Sequence, residues 1–290
     1  MLPGPVDRGP AARQTDPIRE GRRGMQLAGH VALVTGASRG IGRATALALG
    51  RRGAAVIVAA RTLRPGGRVP GSLDETVQAL RAAGADALPV VCDLGDPDSV
   101  AQLAGTALGW RGQVDVLVNN AAFLGKATFH PLDELSLVNW QRQLNINVTA
   151  PLALSKALVP AMRASGAGVI VNVTSSAADL VEGDVPGITY GATKAALNRL
   201  TLALARDLRP DGVTVFAVDP GYVRTEVAEQ AASHPGWDID IGTAHSPQVA
   251  GDALAELVER DGDSVSGRFW RVAGGQPPVL AHDGRGQGNR

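Results

Sequence analysis

Residues 31–42 read Val-Ala-Leu-Val-Thr-Gly-Ala-Ser-Arg-Gly-Ile-Gly, an apolar run followed by a turn with three glycines. The run has the β-branched character of a buried strand, and the segment after it has a helical pattern. Glycines in such a turn let the backbone approach a pyrophosphate, and the first amides of the helix attract its charge. The stretch therefore predicts a dinucleotide-binding turn whose contacts are Gly36, Ser38, Arg39, Gly40, Ile41 and Gly42.

Short apolar runs and longer Ala/Leu-rich segments alternate along the rest of the chain. This alternation is typical of βαβ units around a parallel sheet that is covered on both faces. We predict a single doubly wound α/β domain with a seven-stranded parallel sheet, its strands at 31–34, 56–58, 87–91, 114–118, 169–173, 213–218 and 268–272. Helices are predicted at 41–52, 74–83, 97–108, 136–165, 190–208 and 248–260, with stops at Gly53, Gly84, Gly109 and Gly166.

The domain is expected to occupy residues 25–276 of the 290. Residues 1–24, rich in Arg, Pro and Gly, are predicted to be a disordered tail without the apolar core of a secretory signal, and Met25 is a hypothetical alternative start. Residues 277–290 are predicted to be a flexible tail. The glycines and prolines of 62–72 predict an exposed loop between the second strand and its helix.

Composition excludes several classes of function. The 28 Lys and Arg residues balance 28 Asp and Glu residues, so no net positive field would hold nucleic acid or an anionic membrane surface. One cysteine, Cys92, excludes an intrachain disulfide and fits a reducing compartment, which predicts a cytoplasmic protein. The five histidines show no paired spacing, so we expect no metal.

The end of the second strand bears on the choice of cofactor. An NAD-preferring site usually places an acid there to hold the ribose 2′-hydroxyl, but the sequence has Arg61. Arg61 and Arg39 could bracket a 2′-phosphate through charge-assisted hydrogen bonds. The sequence thus favours NADP(H) over NAD(H).

Tyr190 and Lys194 form the sharpest pattern, because the chain has two tyrosines and three lysines in all. Four residues apart on a helix, their side chains share one face. An ammonium ~4 Å from the phenol would lower its pKa from ~10 toward ~7, which suits a general acid and base. Nearby, the strand at 169–173 leads into Ser175 and Ser176, either of which could hydrogen-bond a substrate oxygen.

These motifs together resemble the short-chain dehydrogenase/reductase family, whose members combine TGxxxGxG with YxxxK on a Rossmann-type fold. The resemblance covers residues 27–275. Asp93 and Leu94 match the family's adenine contact, and residues 119–122 look like its NNAG motif with Ala122 in place of the last glycine. By resemblance, further cofactor contacts are Asn120, Ala121, Pro220, Gly221, Val223 and Thr225.

The resemblance also implies a catalytic set of Asn147, Ser175, Tyr190 and Lys194. Asn145 is the alternative in another register, and Ser176 remains possible beside Ser175. Tyr190 would pass a proton, Ser175 would orient the carbonyl oxygen, Lys194 would lower the pKa of Tyr190 and bind the nicotinamide ribose, and Asn147 would hold a water relay. The implied reaction is hydride transfer between nicotinamide and a carbonyl or alcohol.

Substrate choice is expected to lie in the loops at 123–129, 177–187 and 226–246. Their apolar residues predict an apolar small-molecule carbonyl or alcohol substrate, and they leave a steroid-like, an acyl-chain and a small ketone substrate open: Phe123, Leu124, Leu180, Val181, Val185, Pro186 and Trp237. A cofactor-sensing protein without turnover is one alternative, and an epimerase or dehydratase on the same scaffold is another. The family resemblance implies a homotetramer or homodimer with contacts through helices 136–165 and 190–208.

Overall fold

A computed structural model describes residues 24–67, 69–124, 132–178, 188–232, 241–274 and 276–282. Strands and helices alternate along this part of the chain, as the sequence predicts. The strands are β1 (Val31–Thr35), β2 (Ala55–Ala60), β3 (Ala87–Val91), β4 (Val116–Asn119), β5 (Gly168–Val173), β6 (Val213–Asp219), β7 (Phe269–Arg271) and β8 (Val279–His282). The helices are α1 (Gly40–Arg51), α2 (Leu73–Ala82), α3 (Pro97–Arg111), α4 (Leu137–Leu144), α5 (Ala150–Ser165), α6 (Ile188–Leu208), α7 (Glu226–Ala232), α8 (Pro247–Glu259) and α9 (Gly262–Val265).

All the strands belong to one sheet in the order β3-β2-β1-β4-β5-β6-β7-β8. Strands β1 to β7 run parallel, with β1 paired to both β2 and β4. Strands β2 and β3 are added on one side of β1, and the strands from β4 onward are added on its other side. The direction of strand addition therefore reverses between β1 and β4. In open parallel sheets, ligands bind at the carboxyl ends of the strands beside such a reversal.

The strand count differs from the sequence prediction, which gave seven strands, all parallel. The eighth, β8, pairs antiparallel with β7, and Trp270 faces Leu280 across the pair. Residues 279–282 lie in the segment predicted as a flexible tail. Backbone hydrogen bonds to the otherwise free edge of β7 order this strand, and such a contact leaves no local pattern in the sequence.

The core has one layer on each face of the sheet because neighbouring strand residues point to opposite faces. Ala32 and Val34 pack with apolar residues of α1, α2 and α8. Val31 and Leu33 pack with residues of α3, α5 and α6 on the other face. This arrangement explains why the strands carry apolar residues at consecutive positions instead of at every second one.

Helices α1 and α8 approach each other very closely. A Cβ atom added at Gly251 of α8 would lie 2.5 Å from the carbonyl carbon of Ala44 in α1. Ala44 and Gly251 are both buried. The two backbones are therefore in direct contact, and α8 supports the helix that follows the glycine-rich turn.

Two helix boundaries correct the sequence prediction. The single helix predicted at 136–165 is two helices, α4 and α5, joined by a π-helical turn at Asn145–Thr149. Gly109 does not end α3, which continues to Arg111 and stops at Gly112 with φ +74°. Gly112 supplies the left-handed conformation that terminates a helix, whereas Gly109 adopts ordinary helical geometry. No helix in the described ranges combines the length and apolar character needed to cross a membrane.

Candidate active site

The turn after β1 is shaped by glycines that no larger residue could replace. Gly36 and Gly40 have φ values of +68° and +53°. A Cβ atom at Gly42 would lie 2.4 Å from the carbonyl oxygen of Gly36. The turn therefore folds tightly on itself, and helix α1 starts at Gly40 without a side-chain cap and without an acidic residue in its first turn. The first amides of α1 and the positive end of its dipole are therefore available to bind an anion.

Asn120 supports this turn from behind. Its Nδ2 donates to the Thr35 carbonyl oxygen at 2.8 Å, while the Thr35 hydroxyl oxygen accepts from the backbone amides of Asn120 and Ala121. The same Nδ2 lies 2.4 Å from where a Cβ atom of Gly42 would stand. The sequence predicts Asn120 as a cofactor contact, and the structure gives its side chain a bracing position between β1 and β4.

The two arginines predicted to select the cofactor are in different situations. The Arg39 guanidinium donates to the carbonyl oxygens of Val69 and Gly71, at 2.9 and 3.2 Å, and so fastens the 62–72 loop to the glycine-rich turn. Arg61 is exposed at the end of β2. Arg39 is therefore partly committed to the loop, and Arg61 keeps its donors available to solvent or a ligand.

Tyr190, Lys194 and Ser175 meet where β5 ends beside α6. Tyr190 and Ser175 share a side-chain hydrogen bond, which distinguishes Ser175 from its neighbour Ser176. Ser176 instead begins a short 3₁₀ turn. Lys194 is buried, donates from Nζ to the Val173 carbonyl oxygen at 2.7 Å, and lies 5.6 Å from the centre of the Tyr190 ring.

The direction of the Tyr190 pKa corrects the sequence expectation. Burial, together with the negative charge of Asp219, raises the pKa of Tyr190 to about 12, although the hydrogen bond with Ser175 acts in the opposite direction. Lys194 lies over the ring and donates to a backbone carbonyl, and burial of the phenol outweighs any lowering of the Tyr190 pKa by this ammonium. Burial lowers the pKa of Lys194 to about 8, against the charge of Asp219.

Asn147 lies in the π-helical turn and is fully buried. Its Oδ1 accepts from the Phe123 amide at 2.8 Å, and its Nδ2 donates to the Phe123 carbonyl oxygen and to Thr193 Oγ1. Asn145, the alternative from the sequence, instead pairs with Gln141 in an exposed contact. The turn thus directs Asn147 toward α6, next to the residue before Lys194.

A chain of polar side chains crosses the core beneath the site, and sequence reasoning missed it. Asn119 Nδ2 donates to Asn172 Oδ1 at 2.9 Å, and Asn172 Nδ2 donates to Thr201 Oγ1 at 2.9 Å. Next to it, the Thr174 hydroxyl donates to Asn198 Oδ1 at 2.6 Å. These bonds lock β4, β5 and α6 together. The available signal was the occurrence of asparagines in otherwise apolar strands, which implies buried amide partners.

Residues 220–225 follow the end of β6 at the carboxyl edge of the sheet. Asp219 at the end of β6 accepts from the Gly221 amide at 3.0 Å and pairs with Arg271 Nε at 2.9 Å. A ring N–H of His245 donates to the Pro220 carbonyl oxygen at 2.8 Å. Val223 is buried. This segment, which contains four of the predicted cofactor contacts, is therefore held from two sides.

The remaining predicted positions are only partly described. Asp93 follows β3, accepts from the Gly95 amide at 2.9 Å and faces Arg142 at 3.7 Å, while Leu94 packs against the core. The predicted pocket residues Leu180, Val181, Val185, Pro186 and Trp237 lie outside the described residues. Within the described ranges, no three His, Cys, Asp or Glu side chains converge as metal ligands would.

Comparison with known proteins identifies the chain. The family described as short chain dehydrogenase matches residues 30–236. The chain belongs to the short-chain dehydrogenase family. Its members are oxidoreductases that act on alcohols or carbonyls, and this family membership confirms the resemblance drawn from the sequence.

Two solved structures and one curated relative illustrate the family's range. The cis-4-hydroxycyclohexanecarboxylate dehydrogenase of Sinomonas cyclohexanicum is 36% identical, over 88% of this short-chain dehydrogenase and 100% of the relative. A metagenomic short-chain oxidoreductase in complex with NADP is 34% identical, with a TM-score of 0.71 over 87% of this chain and 100% of that one. The L-sorbose reductase of Gluconobacter frateurii, complexed with NADPH and L-sorbose, is 28% identical, with a TM-score of 0.74 over 87% of this chain and 98% of that one.

Proposed function

We propose that this protein is an NADP(H)-dependent oxidoreductase that transfers a hydride between nicotinamide and a carbonyl or secondary alcohol. The observation that carries the proposal is the meeting of Tyr190, Ser175 and Lys194 at the carboxyl edge of the sheet. A proton donor, a hydroxyl that bonds to it and a buried ammonium stand together there. They lie on the edge that also carries the glycine-rich turn.

The residues around the turn fit a dinucleotide. Gly36 and Gly42 leave backbone space that a Cβ atom would fill, and the start of α1 offers uncapped amides to a pyrophosphate. Selection of NADP(H) is supported by Arg61, which is exposed where an acid would favour NAD(H), and by Arg39, which donates to the hydroxyl of Thr62, the residue after Arg61. Two similar solved structures carry NADP or NADPH.

Each catalytic residue receives a role from its surroundings. Because its pKa is raised to about 12, Tyr190 holds its proton at neutral pH and can donate it to a substrate oxygen. Ser175, which shares a hydrogen bond with Tyr190, orients the same oxygen. We propose that Lys194 binds a ribose hydroxyl and favours the phenolate once the proton has left, and Asn147 holds the Phe123 backbone. The cofactor, when bound, supplies or accepts the hydride.

The substrate we propose is a small carbonyl compound or secondary alcohol with an apolar part. Support comes from Phe123, whose backbone is clamped by Asn147 and whose ring lies 5.0 Å from the Arg142 guanidinium. Two similar proteins named above act on an alicyclic hydroxy acid or a ketose by their names. The first of these substrates carries an oxidisable secondary alcohol on a hydrocarbon ring, and the second carries a reducible ketone.

The proposal is tested by following NADPH consumption against a panel of ketones, aldehydes and quinones. Stoichiometric conversion of one of them to its alcohol is expected. Binding of NADPH without consumption across the panel would favour a cofactor sensor, and product formation without net consumption would favour an epimerase or dehydratase. Measurement of kcat/KM for NADPH and NADH decides the cofactor, and a ratio below one contradicts our choice.

Assembly and location stay predictions. We propose a homotetramer or homodimer with contacts through α5 and α6, and support comes from Leu152 of α5, which is 42% exposed. Light scattering on a sizing column checks this, and a monodisperse monomer would contradict it. Location in the cytoplasm rests on the single cysteine alone.

A further inference from the structure

Glu226 places a carboxylate at the mouth of the glycine-rich turn. A Cβ atom added at Gly40, the first residue of α1, would lie 3.5 Å from Glu226 Oε2 and 3.1 Å from Thr225 Cγ2. Glu226 is the first residue of α7. The start of α7 is therefore packed against the start of α1, with an acidic group between them.

The Oε2 atom of Glu226 is buried and has no hydrogen-bond partner among the residues that the structure describes. The cation closest along the chain to Gly40 does not pair with it, since the Arg39 guanidinium donates to Val69 and Gly71. A buried carboxylate oxygen without a partner is unfavourable and calls for an explanation. The positive end of α1, which has no acid of its own, is the group that attracts it.

The same end of α1 is where the proposed function puts the cofactor's pyrophosphate. Two negative groups would then share one positive helix end, and their repulsion would oppose binding. We propose that Glu226 competes with the pyrophosphate for the start of α1, and that it thereby weakens cofactor binding and speeds cofactor release. This inference rests on the proposed function, because it assumes a dinucleotide at this turn.

Glu226→Gln tests it, because glutamine keeps the shape and removes the charge. We expect the Kd of NADPH, from its fluorescence on titration, to fall about tenfold, and its dissociation rate, from stopped flow, to fall similarly. The Kd of NADH is expected to fall by the same factor, because both cofactors carry the pyrophosphate. Glu226→Asp, which retains the charge, should stay near the unaltered protein.

Glu229→Gln is the matched control. Glu229 is exposed, lies in the same helix and loses the same charge, so a change below about twofold is expected there. Equal tightening by both Gln variants would indicate a general charge effect and overturn the proposal. Unchanged or weaker binding with Glu226→Gln, or tightening for NADPH alone, would also overturn it.

The failures of the two proposals are distinguishable. If the unaltered protein binds neither NADPH nor NADH, the proposed function is wrong and this inference falls with it. If the unaltered protein binds NADPH and reduces a carbonyl while Glu226→Gln leaves both Kd values unchanged, the proposed function stands and the role of Glu226 is rejected.

Discussion

Lys194 Nζ donates a 2.7 Å hydrogen bond to the carbonyl oxygen of Val173, the last residue of β5. The bond fastens α6 to the strand that delivers Ser175, and it keeps the ammonium over the Tyr190 ring. A buried cation is thus held by a neutral oxygen, which costs free energy that a formal ion pair would offset. Interactions elsewhere in the fold must therefore offset the free-energy cost of burying Lys194, as is common at functional sites.

The burial of Lys194 predicts an unusual dependence of stability on pH. Its pKa is about 8 when folded and 10.5 when unfolded, so between these values the unfolded state binds more protons and stability rises with pH. We expect Lys194→Met to be stabilised relative to the unaltered protein at pH 7, and this advantage to shrink by of order 2 kcal/mol by pH 10. Urea unfolding at pH 7, 8, 9 and 10 measures the difference.

Lys156→Met serves as its control because Lys156 is exposed on α5. The difference between this variant and the unaltered protein should stay constant across the same pH range. A Lys194→Met difference that is equally constant would contradict the lowered pKa of Lys194.

Removal of the Tyr190 hydroxyl should separate catalysis from binding. Tyr190→Phe is expected to lower kcat for carbonyl reduction by about 100-fold or more, because the proton donor is lost. The Kd of NADPH should change by less than about twofold, because the ring remains in place. Tyr222→Phe, at the other tyrosine of the chain, is the matched comparison; its side chain is 41% exposed. Equal losses of kcat in both variants would contradict the proposed role of Tyr190 as the proton donor.

The raised pKa of Tyr190 also predicts a pH profile for the reaction. Reduction needs the protonated phenol and should hold its rate from pH 6 to about 8, above which Lys194 loses its proton. Oxidation needs the phenolate and should accelerate as the pH rises through the same range. Initial rates in both directions at saturating cofactor test this, and an oxidation rate that falls with pH would argue against it.

The exposed guanidinium at Arg61 should set the preference between cofactors. Arg61→Ser is expected to lower the ratio of kcat/KM for NADPH over NADH by about tenfold, through loss of a charge-assisted bond to the 2′-phosphate. Arg64→Ser removes another exposed arginine, from the loop that follows Arg61, and should leave the ratio unchanged. Equal ratios for Arg61→Ser and the unaltered protein would place the 2′-phosphate elsewhere.

Gly42 should tolerate no side chain. Gly42→Ala would put a methyl group 2.4 Å from the Gly36 oxygen, so we expect a loss of about 1–3 kcal/mol in the free energy of unfolding and weaker NADPH binding. Gly105→Ala, inside α3 with open space around it, should instead stabilise the protein by about 0.5–1 kcal/mol. Thermal unfolding and NADPH titration check both. If Gly42→Ala changed neither the free energy of unfolding nor the binding of NADPH, the backbone of the turn would be able to widen.

Much of this arrangement could be predicted because it is local. The short apolar runs predict β1 to β7, and the spacing of Tyr190 and Lys194 predicts that they share a face of α6. Asn147 came from the resemblance, as did the choice of Ser175 over Ser176, and the structure brings both Asn147 and Ser175 to α6 and its neighbouring strand. Their roles in catalysis stay predictions.

What the sequence did not reveal depends on contacts between distant segments. The edge of β7 orders β8, the π-helical turn rotates Asn147 inward within a pattern that looks like one continuous helix, and Asn172 finds partners in β4 and α6. The expected direction of the Tyr190 pKa shift was wrong because the spacing of two side chains in the sequence does not show how deeply they are buried. Burial outweighs a nearby cation whose donor is aimed at a backbone oxygen.

The backbone contact between Gly251 and Ala44 has a consequence for any attempt to alter this protein. Because the backbone of α8 is in contact with that of α1, the packing of α8 constrains the direction of α1 and of its first amides. A methyl group introduced at position 251 would tilt that axis without touching the turn itself. The packing of α8 against α1, at a distance from the glycine-rich turn, thus determines how that turn is oriented toward the proposed pyrophosphate.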